Sequence, residues 1–425
     1  VAVSTRQTHT RSPDEAASTD RRTASGAPDR PGWISASADA FWRRLRPGER
    51  SALPVVIGLV AIWLIFQSLN SNFLSPRNLS SISVDIVSTG MISAGIVFVL
   101  VIGEIDLSVG ALSGLAGAVF AELNANLGVP QGLAVVVAVL VGTAAGAIQG
   151  FFFAKTGVPA FAITLAGLLA WNGLMLYILG PNGSIEIADS GFVPSLTSYY
   201  FSDAWVGYGL AALGAAGYLL TAYRLSRRRR AAGLPFQPLG EIWVRTGVLE
   251  AVLFATAWTL NHFQGLPLAP LIFLVVVAGL DYVLRRTRYG RAVVALGGGV
   301  EAARRAGIDV VRVRISVFLV SGTLAAVGGL FVTSQLVSAT NEAGGGQTLI
   351  SAIAAAVLGG ASLFGGRGTI WSALLGVLVI ESIASGMALL GAAQPVQFMI
   401  TGGVLFAAVI VDSLLRRSQQ AHGQA

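Results

Sequence analysis

The stretch ISVDIVSTGMISAGIVFVLVIGEIDLSVGALSGLAGAVFAELNAN, residues 82–126, holds two long apolar runs split by GEIDLSVG, Gly103 to Gly110. About 20 mostly apolar residues in a helix cross the hydrocarbon of a bilayer, so the two runs predict spanning helices with a break between them. Working outward, apolar stretches of this kind lie near 53–69, 82–103, 108–126, 130–153, 160–180, 205–223, 246–263, 267–285, 313–335, 349–364, 369–390 and 397–414. The pair at 205–223 and 246–263 is the weakest, diluted by Tyr, Trp, Glu250 and Asn261. The expected fold is all-α, a polytopic transmembrane helical bundle of about 12 spans. Composition agrees: 54% of the residues are hydrophobic and 12% charged, against about a quarter charged in soluble domains.

The net charge of +7 is nearly all arginine, Lys155 being the single lysine. Arg43, Arg44, Arg46, Arg50, Lys155, Arg224, Arg227 to Arg230, the arginines of 285–314, Arg367, Arg416 and Arg417 all fall on one side of a twelve-span chain. Positive charge stays on the cytoplasmic side, which places both termini there. The basic residues flank spans, so they do not point to nucleic acid. The domains expected are a disordered cytoplasmic tail over 1–50, with a short interfacial helix or plain disorder around Trp33, Phe41, Trp42 and Leu45, a transmembrane domain over 51–417, and a cytoplasmic tail over 418–425. The first fifty residues hold no apolar run of the signal-peptide kind. There is no cysteine, and His9, His262 and His422 share no ligand spacing, so neither thiol chemistry nor a metal site is expected.

Four stretches carry possible chemistry. In GEIDLSVG, Glu104 and Asp106 sit among glycines at membrane depth, where charge is costly and usually functional. Asp106 also suits a helix N-cap; a broken helix can serve both ends. In RRTRYGRAVVALGGGVEAARRAGIDVVRVR, residues 285–314, three glycines precede a short helix from Glu301 to Ala306 that Gly307 ends. That loop is either a docking element or a solvated surface. AAAVLGGASLFGGRGTIWSALLG, residues 354–376, loosely echoes the Gly103 region as helix, glycine break and helix. SQLVSATNEAGGGQTLISAI, residues 334–353, is a polar outer loop. Gly142, Gly146 and Gly150 line one helix face and predict close helix packing. QGFFFAKT, Gln149 to Thr156, lacks the glycines of a phosphate loop; with one lysine in the chain, any ATP must be bound by another subunit.

These residues resemble a family. GEIDLSVG is similar to the GGIDLSVG stretch of the ribose/xylose/galactose-type permeases of bacterial ABC importers. VPAFAITLAGLLAWNGL (158–174), TRYGRAVVALGGGVEAARRAGI (287–308) and GGASLFGGRGT (359–369) carry the same likeness, over roughly 54–185 and 267–415. The resemblance implies a homodimeric, multi-pass permease of the bacterial cytoplasmic membrane that is not itself an enzyme. It implies two further partners, an ATPase subunit with two nucleotide-binding domains that holds ATP-Mg and an extracytoplasmic sugar-binding protein; the permease itself binds no cofactor. By resemblance, Glu301, Ala302, Ala303 and Gly307 belong to the coupling helix that docks the ATPase, and Gly299 and Arg304 complete that set. Candidates for the translocation pathway are Glu104, Asp106, Ser108, Asn172, Asn341, Gln347 and Glu381.

Three departures qualify the likeness. Glu104 replaces a glycine common in the ribose-type motif. Ala384 and Ser385 stand where ribose-type members often carry asparagines. Residues 186–266 exceed the usual loop and supply the weak span pair, which makes a ten-span core plus two resemble the xylose-type permeases. The expected cargo is xylose or a related pentose. The rival is an ion-coupled secondary transporter using Asp85, Glu104, Asp106, Glu250 and Glu381.

Overall fold

The computed structural model describes residues 47–363 and 365–421. The chain divides into two units, Val1–Arg50 and Ser51–Ala425. The segment around Trp33, Phe41, Trp42 and Leu45 lies outside the described residues, as do residues 422–425.

Each of the twelve apolar stretches coincides with a helix: α1 Pro47–Leu69, α2 Pro76–Val101, α3 Val109–Ala121, α4 Gln131–Thr156, α5 Ala160–Leu179, α7 Ala204–Ala231, α8 Leu239–Asn261, α9 Leu268–Arg286, α12 Val310–Leu336, α13 Gly346–Leu358, α14 Ile370–Leu389 and α15 Gln394–Ala421. Three short helices were not expected as such from the apolar pattern or only partly so: α6 Phe192–Ser198, α10 Arg288–Gly298 and α11 Val300–Arg305. The 285–314 segment, expected as a long loop around one short helix, is therefore mostly helical. Among the described residues, seven helices, α2, α4, α5, α7, α9, α12 and α14, are long and apolar enough to cross a membrane. At 13 residues each, α3 and α13 reach only about 20 Å, short of the roughly 30 Å of hydrocarbon. A single turn of π-helix, Glu122–Asn126, extends α3.

Local chemistry sets the starts. Pro76 opens α2 behind Ser75, whose Oγ accepts from the Asn78 amide at 3.3 Å, and proline at the first helical position costs no hydrogen bond. Asp309 caps α12 by accepting from the Arg312 amide at 3.1 Å. A helix apolar all round is buried all round, and α2 is the example: every residue from Ile86 to Val101 is buried. Around it pack α9, α12, α13 and α14, and α12 in turn packs along α4 and α3.

The glycine ladder of α4 lies in that α4–α12 seam. A Cβ on Gly146 would run into the Phe318 carbonyl, and one on Gly142 would stand 2.8 Å from the Gly322 carbonyl. Gly146→Val should cost about 3 kcal/mol through overpacking and remove the monodisperse peak of detergent-extracted protein in size-exclusion chromatography. Gly247→Ala, on α8 with open space around it, should leave that peak intact.

The α7–α8 hairpin is the expected inserted pair, and it is peripheral. The two helices pack chiefly on each other, with α8 alone reaching α2. Its base is clasped by two antiparallel two-residue strands, β2 Tyr200–Phe201 and β3 Leu266–Pro267, paired Tyr200 to Pro267 and Phe201 to Leu266. A second clasp joins β1 Ser184–Glu186 to β4 Ser338–Thr340. Neither clasp was foreseen, because two or three residues show no period.

Candidate functional site

The expected site residues fall in three places. The first is the break between α2 and α3. Asp106 is 1% exposed and no cation neutralises it through an ion pair among the described residues. Its carboxylate accepts three hydrogen bonds instead: from the Ser108 amide at 3.0 Å, from Ser108 Oγ at 2.6 Å and from Ser321 Oγ at 2.9 Å. Ser321 lies near the middle of α12, so these bonds tie the break to that helix. The N-cap expected of Asp106 is shifted: Ser108 takes the cap position of α3 and its side chain makes no cap bond.

Ser108 Oγ also lies 2.9 Å from the side-chain oxygen position of Gln149 on α4. A serine has one hydroxyl proton, and the shorter contact to Asp106 takes it. Gln149 must then donate through its amide nitrogen, which otherwise lacks a partner, as does Trp171 Nε1. A half-turn of the amide, indistinguishable in shape, gives Ser108 its donor and turns the Gln149 oxygen toward the indole; both groups crowd the same point above Gly167. Hydrogen bonds thus run from Gln149 of α4 through Ser108 to Asp106 in the break and on to Ser321 of α12. Gln149 and Ser321 were missed in the sequence because each is a lone polar residue in an apolar run. Glu104 is half-buried and within the field of Arg314.

The second place is the arginine-bearing end. Here α11 presents Glu301 and Arg304, paired at 2.9 Å and both exposed, while Ala303 turns inward. Gly307, at φ +78, closes the helix: its amide donates to the Arg304 carbonyl at 3.0 Å and the Ile308 amide to the Ala303 carbonyl at 3.1 Å. This is the Schellman arrangement. The preceding helix α10 starts on Thr287, whose Oγ1 accepts from the Gly290 amide at 3.1 Å. Its inner face, Gly290, Val293 and Leu296, is buried. Tyr289 accepts from Ser316 Oγ of α12 at 3.1 Å, and burial pushes its phenol up.

The two glycine breaks meet at the end of α10. The Gly366 amide donates to the Val101 carbonyl at 2.9 Å. A Cβ on Gly297 would strike that same carbonyl, and one on Gly365 would come 2.9 Å from Gly103. The loose echo between 103–110 and 359–369 is thus also a contact: helix, break and helix twice over, joined at the breaks and capped by α10.

The third place is a cavity of about 260 Å³ between α2, α13, α14 and α15. It brings together Gln347 and Glu381, with Thr89, Ser351, Gln397 and Thr401 in the wall. Thr89 Oγ1 donates to Glu381 Oε1 at 3.2 Å. Asp85, one turn before Thr89, accepts from Gln335 Nε2 and adds its charge to the surroundings of Glu381. Ala384 lines the same cavity, and Ser385 donates to Asn78 Oδ1 at 2.8 Å. Gln397 and Thr401 fall inside the apolar stretch 397–414, which hides them in sequence, and Gln394 lies just before it; their spacing of three and four puts them on one helix face.

The expected pathway set is therefore not one site. Asn341 lies in an outer cleft with Asn182, Ser184 and Glu342 beside β1 and β4. Asn172 is half-buried on α5 and lines neither cavity. Of the ionisable residues a secondary transporter would use, Asp85 and Glu381 are neighbours, whereas Glu250 is exposed on the peripheral α8.

Comparison with known proteins covers nearly all of the described fold. The family described as branched-chain amino acid transport system / permease component matches residues 78–409. The xylose transport system permease protein of Escherichia coli K12 is 34% identical over 364 residues, 85% of this chain and 92% of the relative. That of Haemophilus influenzae Rd is 33% identical over 366 residues, 85% of this chain and 96% of the relative. The ribose import permease protein of E. coli K12 is 32% identical over 359 residues, 84% of this chain and 92% of the relative. No solved structure matches the chain.

Proposed function

We propose, for a chain that belongs to the branched-chain amino acid transport system permease family, that it is the membrane component of an ABC importer carrying a monosaccharide, xylose or a related pentose, into the cell. It is a multi-pass membrane protein of the inner membrane and works as a transport subunit. ATP-Mg binds to a separate ATPase subunit with two nucleotide-binding domains, and an extracytoplasmic sugar-binding protein delivers the sugar to the opposite face. The permease acts as a homodimer of chains with about twelve spans, ten forming the core and α7–α8 the addition, with both termini cytoplasmic. The arginine-bearing ends of the helices support that orientation.

One observation carries the reading. An exposed, glycine-closed helix, α11, follows directly on the helix whose end touches both glycine breaks. A partner that pulls on Gly299, Glu301, Ala302, Ala303, Arg304 and Gly307 acts through α10 on the loops at Gly103 and Gly366. Alternating access needs two permease conformations that dock the ATPase differently, and this is a mechanical path between docking and opening. Helices interrupted by glycine-rich breaks are what transporters use around their cargo.

Uptake of labelled xylose by cells with and without this gene, with ribose, galactose and arabinose as competitors, tests the assignment. Loss of uptake on deleting either this gene or the companion ATPase is expected. Uptake that persists without the ATPase would replace the importer with a secondary transporter centred on Asp85 and Glu381.

A further inference from the structure

We infer that the cavity between α2, α13, α14 and α15 is a transit site that holds one monosaccharide by its hydroxyls, and that its wall takes part in choosing the sugar. The inference rests on the importer reading above and adds a place and a chemistry to it.

The wall decides the ligand class. Threonine and serine hydroxyls and glutamine amides both donate and accept, which matches sugar hydroxyls. The Glu381 carboxyl group presents two oxygens to which adjacent hydroxyls of one ring can hydrogen-bond. Phe398 adds a ring on which the apolar C–H face of a pyranose can rest. The family description names branched-chain amino acids, and the same wall argues against them here. An amino acid brings a carboxylate, which needs a cation when desolvated, and no lysine, arginine or histidine lines the cavity. The N-terminus of α13, at Gln347, offers only the partial charge of a helix dipole. A branched aliphatic side chain would find more amides and hydroxyls than carbon.

Size and position agree. A volume of about 260 Å³ falls just under the roughly 300–1,000 Å³ of drug-sized pockets, which suits one small ligand. Thr89, Ser351 and Glu381 each lie near the middle of their helices, the depth at which transporters place their cargo. Gln347 and Gln394, at the helix starts, are exposed and open the cavity toward the end away from the arginines.

The test uses the full transporter in cells, with initial rates of labelled xylose uptake and with ribose and leucine as competitors. Gln397→Leu should change the xylose-to-ribose preference by threefold or more. Glu381→Gln should raise the half-saturating xylose concentration about tenfold. Ala384→Phe, which fills the cavity, should cut uptake at least tenfold at normal amounts of membrane-extracted protein. Wild-type rates and an unchanged sugar preference in Gln397→Leu and Glu381→Gln would overturn the site, whether or not Ala384→Phe folds. Competition by leucine that is lost in Gln397→Leu would overturn the ligand class. A wild-type transporter that takes up no sugar at all removes the importer reading itself, so the two failures are separate results.

Discussion

Glu301→Arg is expected to reduce ATPase-dependent sugar uptake to background while leaving the protein folded in the membrane. Two facts separate these effects. The Glu301–Arg304 pair is exposed on both sides, and exposed pairs contribute under about 1 kcal/mol, so its loss does not unfold a bundle of this size. The charge reversal falls instead on the surface offered for docking. Gly307→Trp should have the same outcome for a different reason. At φ +78 a side chain with a Cβ costs roughly 1–2 kcal/mol, and with nothing within 4 Å of a Cβ there the indole would project from the surface beside α11. Gly307→Asn, which tolerates the left-handed region, should retain most uptake. Co-purification of the ATPase with each variant, together with uptake, checks the assignment; normal uptake in both Glu301→Arg and Gly307→Trp would remove it.

Asp106→Ala is expected to destabilise the extracted protein by about 3 kcal/mol or more. The substitution leaves the Ser108 amide, Ser108 Oγ and Ser321 Oγ without their acceptor in a buried site, and each stranded donor costs about 1–3 kcal/mol. Ser108 can recover part of this by turning to Gln149. Asp106→Asn keeps one carbonyl oxygen, and the Ser321 hydroxyl can rotate to accept from the new amide, so its loss should be clearly smaller. Thermal unfolding in detergent, followed by size-exclusion chromatography, ranks the three proteins. Equal stability of Asp106→Ala and wild type would show that the carboxylate does not hold the break together.

Much of the fold was legible because hydropathy needs no partner: an apolar run of twenty residues is a helix whatever it later packs against. Short amphipathic pieces were not. In α10 the buried face is Gly290, Val293 and Leu296 among arginines, which over eleven residues resembles a basic loop. The site was legible only in pieces. Asp106 announced itself as a charge inside apolar sequence. Its partners Gln149 and Ser321 did not, because the register between helices some 40 or 200 residues away is fixed by packing, here by the small residues of the α4–α12 seam. The same limit scattered the pathway candidates. Gln347 and Glu381 proved to face each other, Asn341 went to an outer cleft, and Thr89 and Gln397 completed a wall whose members come from four separate helices.

The clasp at the base of the α7–α8 hairpin has a genetic consequence. Phe201 and Leu266 are already hydrogen-bonded neighbours, and the Leu268 amide donates to the Tyr199 carbonyl at 3.0 Å, so the two ends of the intervening segment meet without it. Such a segment can be gained or lost in one step, since the host chain closes behind it with a tight turn. A gene with codons 202–265 exchanged for a two-residue turn should therefore encode a shorter permease that still assembles. The hairpin thus hangs on the bundle by its two ends, and the rest of the chain does not depend on it to close.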